Sequence, residues 1–431
     1  MLTVLFGSFV ILILIGCPIA VTLGASSVAA LLMDGSFDLG IAIQRMFTGV
    51  NSFPLMAIPF FMLAGSLMEL GGISSRIIRF ADTLVGHYRG GLAFAAIIAC
   101  MIFASISGSA VATVAAIGGI IIPEMRARKY PDGYSTAVVT AAGTMGPIIP
   151  PSTTFVIYAS IAGVSVSDMF LGGYIPGILM GISLMIVAGI KARKMNLPKS
   201  PKQSGKEILK ATKEAFLALL SPVIIVGGII TGWFTPTEAG AIGCIYSFVV
   251  GAFIYHELTP KRIFAVLKES ALSSSIIMFL IATANIFSWI LTVEQIPQII
   301  KDMFMSVTDS KYVLLLLINL LLLVVGMFLD SAPALTMLVP VLAPLVTAYG
   351  IDLVHFGVVM CVNLCIGLLT PPVGTCLFVG CRVSKMPLME LVRNIWIELL
   401  TLIGVCFLIT YVPPLVTFIP SLGGSSYKER T

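Results

Sequence analysis

An all-α polytopic membrane protein built from an inverted repeat is the fold class this sequence predicts, and three observations carry that expectation. Of its 431 residues, 58% are hydrophobic and 10% charged, with a mean hydropathy of +1.07. A soluble domain averages about 45–50% apolar and about 25% charged. Apolar stretches near the membrane-crossing length of about 20 residues recur along the chain. Two Pro-Pro pairs, Pro150-Pro151 and Pro371-Pro372, interrupt such stretches in matching surroundings. That composition excludes a soluble enzyme, a disordered chain, a coiled coil, a collagen-like chain and a disulfide scaffold.

Taken in order, residues 2–33 read as one retained span, with no basic segment or clear cleavage site before it. A tight span follows at 54–70. Residues 73–87 alternate Arg with apolar residues at helical spacing, so a helix lying in the interface is expected there. Residues 91–123 are too long for one span and carry Ser105-Ile-Ser107-Gly108-Ser109 near the middle, which predicts a re-entrant hairpin. Residues 134–162 contain Gly146-Pro-Ile-Ile149-Pro-Pro151-Ser152. A Pro-Pro pair removes two backbone donors and disfavours helix before it, so this helix is broken at mid-membrane. A span at 169–190 precedes the segment 191–213, where eight of the 25 basic residues cluster against a single acid, Glu207. Nucleic acid is not the reading, because positive residues mark the cytoplasmic side of membrane proteins.

The second half repeats the plan. Spans at 214–232, 239–256 and 271–292 lead to an amphipathic 293–305. A second hairpin is expected at 312–348, with Asp330-Ser331-Ala-Pro333 at its break, and a second broken helix at 355–382, with Gly367-Leu-Leu-Thr370-Pro-Pro372-Val-Gly-Thr375. A last span covers 391–417. Pro371 lies 221 residues after Pro150 (371 − 150), and the same shift superposes Pro123 on Pro344, Gly146 on Gly367 and Thr154 on Thr375. The organisation is therefore a first repeat at 1–190, a basic loop and connecting span at 191–238, a second repeat at 239–420, and a polar tail at 421–431. Placing 191–213 in the cytoplasm puts every strong basic cluster there only if the second repeat is inverted. Inverted repeats with broken helices meeting at the midplane mark secondary transporters.

Irregular backbone at membrane depth has to line an enclosed or watery cavity. Each break exposes carbonyl oxygens that suit a cation and amides that suit an anion. Hydroxyls of Ser107, Ser109, Ser331, Thr370 and Thr375 add hard oxygen ligands. The eight cysteines lie mostly in apolar runs without a CxxC pair, and the three histidines are far apart, so a thiolate or imidazole metal site is not expected. These features read as a small alkali cation beside a carboxylate-bearing solute. Asp330 keeps two readings, an intramembrane functional carboxylate and a cap at the hairpin tip. Glu69 and Glu398 read as structural or interfacial charges, and Asn285, Asn319 and Asn363 as packing or hydrogen-bonding residues.

The segments Ser107-Gly-Ser-Ala-Val-Ala-Thr113, Gly146-Pro-Ile-Ile-Pro-Pro-Ser152, Phe234-Thr-Pro-Thr-Glu-Ala239, Phe328-Leu-Asp330 and Gly367-Leu-Leu-Thr-Pro-Pro-Val-Gly374 resemble the large permease subunit of tripartite ATP-independent periplasmic (TRAP) transporters. The resemblance runs in order along essentially the whole chain. It implies an elevator-type fold, in which a transport domain moves against a scaffold, and no enzymatic activity. It implies sodium-driven import of a sialic acid such as N-acetylneuraminate, or of a C4-dicarboxylate, across the bacterial inner membrane. It also implies two partners, a small membrane subunit and a soluble periplasmic binding protein. On this reading there is no cofactor, and Na⁺ is the coupling ion. The first sodium site is expected at Ser107, Ser109, Gly146, Ile149 and Pro151, and the second at Gly326, Phe328, Asp330, Gly367, Thr370 and Pro372. Ser165, Ser331 and Thr375 are the substrate-contact candidates, and no arginine sits at an unwound break to clamp a carboxylate. A binding-protein-independent divalent-anion/sodium symporter shares this architecture. An intramembrane protease would need a Ser–His pair or two facing aspartates, whereas Asp330 is alone at membrane depth.

Overall fold

The computed structural model describes residues 1–422, so most of the expected tail at 421–431 lies outside the described residues. No strand occurs among them, and eight helices are long and apolar enough to cross a membrane. The chain is a multi-pass membrane protein.

The first repeat comprises α1 (Leu2–Leu14), α2 (Ile19–Asp34), α3 (Gly40–Val50), α4 (Ala57–Leu70), α5 (Ile73–Val85), α6 (Gly91–Ser107), α7 (Ala110–Ala127), α8 (Asp132–Gly143), α9 (Thr153–Ala162) and α10 (Val166–Lys194). Then come α11 (Gly205–Ile230), α12 (Pro236–Val249), α13 (Pro260–Val293), α14 (Ile296–Val307), α15 (Lys311–Gly326), α16 (Ser331–Ala348), α17 (Leu353–Gly367), α18 (Thr375–Ser384), α19 (Leu388–Tyr411) and α20 (Pro414–Leu422). Side-chain caps set many of the starts. Ser204 and Glu207 form a reciprocal capping box on α11, and Thr235 and Glu238 form another on α12, each cap being worth about 1 kcal/mol.

The 221 shift holds element by element. Helices α7 and α16 coincide in register from end to end, and each carries an internal proline at the same place, Pro123 and Pro344. Helix α13 occupies the register of α3 and α4 together. Equivalent elements also run antiparallel to one another, as an inversion requires. Gly49 packs on Asn285 while Met62 receives a hydrogen bond from Ser274 at 3.7 Å, so α3–α4 and α13 run in opposite directions. The Tyr158 hydroxyl donates to the Leu353 carbonyl at 2.7 Å and Gly380 abuts Thr140, which reverses the two broken helices. Between α10 and α19, Lys191 donates to both oxygens of the buried Glu398 carboxylate at 2.7 Å. Glu398 is thus a paired structural charge. Asn363 donates to Asn319 Oδ1 at 2.7 Å, joining α17 to α15.

Several boundaries differ from the sequence reading. The stretch 2–33 is not one span. Gly16-Cys-Pro18 splits it, and α1 folds back along α2 until the Met1 amino group lies 3.9 Å from Asp34. Pro18 cannot continue a helix because it lacks the N–H. The first hairpin extends to residue 127, and its break is only Gly108-Ser109, so Ser105 and Ser107 stay helical. The second break precedes Ser331, leaving Ser331 and Pro333 in the first turn of α16, where proline is tolerated. The stretch 391–417 is interrupted at Val412-Pro413. The basic segment 191–213 is a short connection flanked by helix ends, with Lys191, Arg193 and Lys194 in the last turn of α10, where cations complement the dipole.

Basic groups gather at one end. Arg79 pairs with Glu214, Arg128 with Asp82, and Arg126 donates to the Ser384 carbonyl. The base of the α6–α7 hairpin is therefore at the end shared by α5, the 195–204 connection and the α18 C-terminus. The α15–α16 base is at the other end, where Tyr349 reaches Thr308 and Tyr411 reaches Tyr312.

Candidate functional site

Each hairpin tip is seated on a helix break. At the first junction Gly108 turns with φ +60°, a left-handed conformation that favours glycine. The Ser107 hydroxyl sits 3.0 Å from Thr113 Oγ1, which itself donates to the Ser109 carbonyl at 2.7 Å. Ser109 caps α7 through Ala112 N at 3.4 Å. The opposing break, residues 144–152, is buried, and the peptide between Pro150 and Pro151 is cis. Ser152 caps α9 by accepting from Phe155 N at 3.1 Å. The Thr153 hydroxyl reaches the Gly108 carbonyl at 3.4 Å. Ile149 packs its side chain on Gly177, leaving only its backbone for a ligand role.

The closest approach is backbone on backbone. A Cβ placed on Gly146 would lie 2.5 Å from the Ser109 carbonyl oxygen, and one on Gly367 would lie 2.5 Å from Gly326 Cα. These glycines occupy the same repeat position. The first junction therefore brings together Ser107, Ser109, Gly146 and Pro151, and the second brings together Gly326 and Gly367.

At the second junction the Val373 amide donates to the Met327 carbonyl at 3.2 Å, tying tip to break. The Leu368 and Thr370 carbonyls crowd Gly374. The Thr375 hydroxyl is buried and has no hydrogen-bond partner among the described residues. Ser331 Oγ lies 3.8 Å from Cys365 Sγ. Asp330 is exposed at the tip and its Oδ1 accepts from Ser331 N at 2.7 Å, so it caps α16. Phe328 exposes 56% of its surface, leaving its backbone as the part facing the junction. Pro372 is exposed as well. The two junctions are thus unequal, the first enclosed and the second open. Ser165 stands apart from both, its hydroxyl accepting from Asp168 N at 3.2 Å as the cap of α10.

The two repeats interlock. Helix α7 of the first hairpin packs on α18, and α16 of the second packs on α9. A cavity of about 620 Å³ opens between α7–α18 and the pair α4–α13, lined by Ser107, Ser109, Glu69, Glu269, Ser270 and Arg382 among others. A separate cavity of about 610 Å³ between α9 and α16 is lined by apolar residues and Thr347, and shares only the repeat positions of Ile161 and Ala162 with the polar cleft. No arginine sits at either break, as expected, but the polar cleft brings a guanidinium, that of Arg382, into one cavity with the first tip. Arg382 is eleven residues beyond Pro371, so reading the breaks alone misses it. The repeat register holds the signal, because the residue equivalent to Arg382 is Ile161 and the charge is present on one side only. The Ser270 hydroxyl is buried without a partner among the described residues. Chemically the arrangement offers oxygen-rich pockets at two tips and a cleft with one cation, two carboxylates and several hydroxyls.

The family model described as the DctM component of the tripartite ATP-independent periplasmic transporter matches residues 6–415. The chain is 42% identical over 436 residues to the C4-dicarboxylate TRAP transporter large permease protein DctM of Vibrio cholerae, covering 95% of each. It is 40% identical over 411 residues to the sialic acid TRAP transporter large permease protein SiaM of the same organism, covering 95% of this chain and 96% of that one. Among solved structures it is similar in fold to the YdaH transporter of Alcanivorax borkumensis, with a TM-score of 0.64, 14% identity and 86% of each chain covered.

Proposed function

The chain belongs to the DctM component family of TRAP transporters, and from that premise we propose that it is the sodium-driven large permease of an importer for a small carboxylate. The solute on this reading is a sialic acid or a C4-dicarboxylate, the classes named for two similar permeases. The family implies the other two components, a small membrane subunit and a periplasmic binding protein that delivers the solute. The observation that carries the sodium reading is the paired tip-on-break junction, with the unpartnered Thr375 hydroxyl at the second. Buried hydroxyls without partners are costly, and an alkali ion held by carbonyl and hydroxyl oxygens would satisfy them.

In this account Ser107, Ser109 and the carbonyls near Gly146 and Pro151 hold one ion. The carbonyls of 367–370, Thr375 and the Asp330 charge serve the other. The solute carboxylate sits beside the first ion in the polar cleft, with the Arg382 fork as counter-charge, while Ser331 and Thr375 lie at the second junction, outside that cleft. Alternating access follows from sliding the α6–α9 and α15–α18 body, both hairpins re-entrant, against α4 and α13. The protein lies in the bacterial inner membrane with the 191–213 end cytoplasmic.

Two experiments test these statements. Proteoliposomes carrying both membrane subunits should take up N-acetylneuraminate or succinate only when the cognate binding protein is present. Robust uptake without it would favour the binding-protein-independent symporter. For orientation, Ser204 is exposed in the basic connection. A Ser204→Cys variant should be protected from an impermeant thiol reagent added to intact spheroplasts, and ready labelling would reverse the topology.

A further inference from the structure

A third cavity, of about 590 Å³, lies at the basic end between the 87–94 segment and the last third of α10, away from both junctions. Three cations line it, Arg89, Arg193 and Lys199, and no acidic residue does. Arg89 is held by a neutral partner, Asn196 Oδ1, at 3.1 Å. Arg193 and Lys199 form no ion pair among the described residues, whereas Arg128 and Lys191 nearby are matched by carboxylates. Apart from His87 and Tyr88, the rest of the wall is apolar. Phe94 packs at Gly189, and the His87 and Tyr88 rings lie 4.1 Å apart at the rim.

From this cavity an apolar ridge runs along α10 into the bilayer. Ile178, Ile182, Ile186 and Ile190 recur every fourth residue, and each exposes between 44% and 58% of its surface. Residues four apart share one helix face, and at 1.5 Å per residue the ridge is about 18 Å long, close to the length of an extended acyl chain. A cationic pocket continuous with a lipid-facing apolar ridge matches both halves of an anionic phospholipid. Basic pockets between membrane helices bind such headgroups, and Tyr88 at the rim suits the headgroup level.

We propose that this pocket is a binding site for an anionic phospholipid, its phosphate held by Arg89, Arg193 and Lys199 and one acyl chain lying along the Ile178–Ile190 ridge. A free anion would use the cations but not the ridge.

The test uses the purified full chain, delipidated in detergent and titrated with phosphatidylglycerol, phosphatidylcholine or inorganic phosphate, read by native mass spectrometry and thermal shift. Phosphatidylglycerol should be retained and raise the melting temperature at concentrations about tenfold below those phosphatidylcholine needs. The triple variant Arg89→Gln, Arg193→Gln, Lys199→Gln should erase that preference. Its three positions are exposed, and an unchanged melting temperature without lipid confirms that it folds. Lys206→Gln with Lys210→Gln, elsewhere at the basic end, should leave the preference intact. Equal retention of the two lipids, an unaffected triple variant, or inorganic phosphate reproducing the whole shift would each overturn the proposal.

Discussion

Alanine at Gly146 or at Gly367 is expected to cut solute uptake by at least about tenfold while the protein still reaches the membrane in normal amount. The added methyl would sit 2.5 Å from Ser109 O in the first case and 2.5 Å from Gly326 Cα in the second. In both, the obstacle is backbone, which cannot rotate away as a side chain can. Overpacking of this kind costs about 1–3 kcal/mol, and 1.4 kcal/mol is already a factor of ten in an equilibrium. The least costly relief is to lift the hairpin tip from the break, and that separates the oxygens proposed to hold each ion. Gly119 and Gly227 lie in helices where an added methyl would meet nothing within 4 Å, so Gly119→Ala and Gly227→Ala should transport normally. Full uptake by Gly367→Ala would show that contact at the second tip is dispensable.

Asp330→Asn should raise the sodium concentration for half-maximal uptake more than Ser109→Ala does, by about tenfold. The repeat sets Asp330 opposite Ser109, so only the second junction carries a formal negative charge. At an effective dielectric of about 20, opposite unit charges about 4 Å apart attract by roughly 4 kcal/mol. Desolvation removes much of that, and about 1–2 kcal/mol corresponds to the predicted shift. The competing role is visible in the structure, where Asp330 Oδ1 accepts from Ser331 N at 2.7 Å. Asparagine caps a helix about as well as aspartate. A silent Asp330→Asn with abundant protein would therefore leave the cap as the function of this residue.

The repeat was legible because proline and glycine punctuate the chain in physically specific ways. Pro150-Pro151 and Pro371-Pro372 located both breaks, and the 221 spacing carried the register to α7 and α16 without a gap. Serines 107 and 109 were placed at the first tip because they lie in the polar Ser105–Ser109 interruption of an apolar stretch, and the structure puts them on either side of Gly108. What sequence could not supply was contact between distant elements. Glu69, Glu269, Ser270 and Arg382 come from α4, α13 and α18 and share a cavity only after folding. The N-terminal hairpin escaped for a different reason, since mean hydropathy over 2–33 hides one Gly-Cys-Pro interruption. Asymmetry between the junctions was also invisible, because exposure of Pro372 and Phe328 depends on how far α15 and α16 splay.

The most direct test of the account is which ion gradient drives uptake. In proteoliposomes containing both membrane subunits and the binding protein, labelled solute should accumulate when an inward sodium gradient is imposed with no proton gradient. It should not accumulate when potassium replaces sodium on both sides at the same membrane potential. Accumulation that persists without sodium, driven by a proton gradient or by the membrane potential alone, would contradict the assignment of the two tip-on-break junctions as sodium sites.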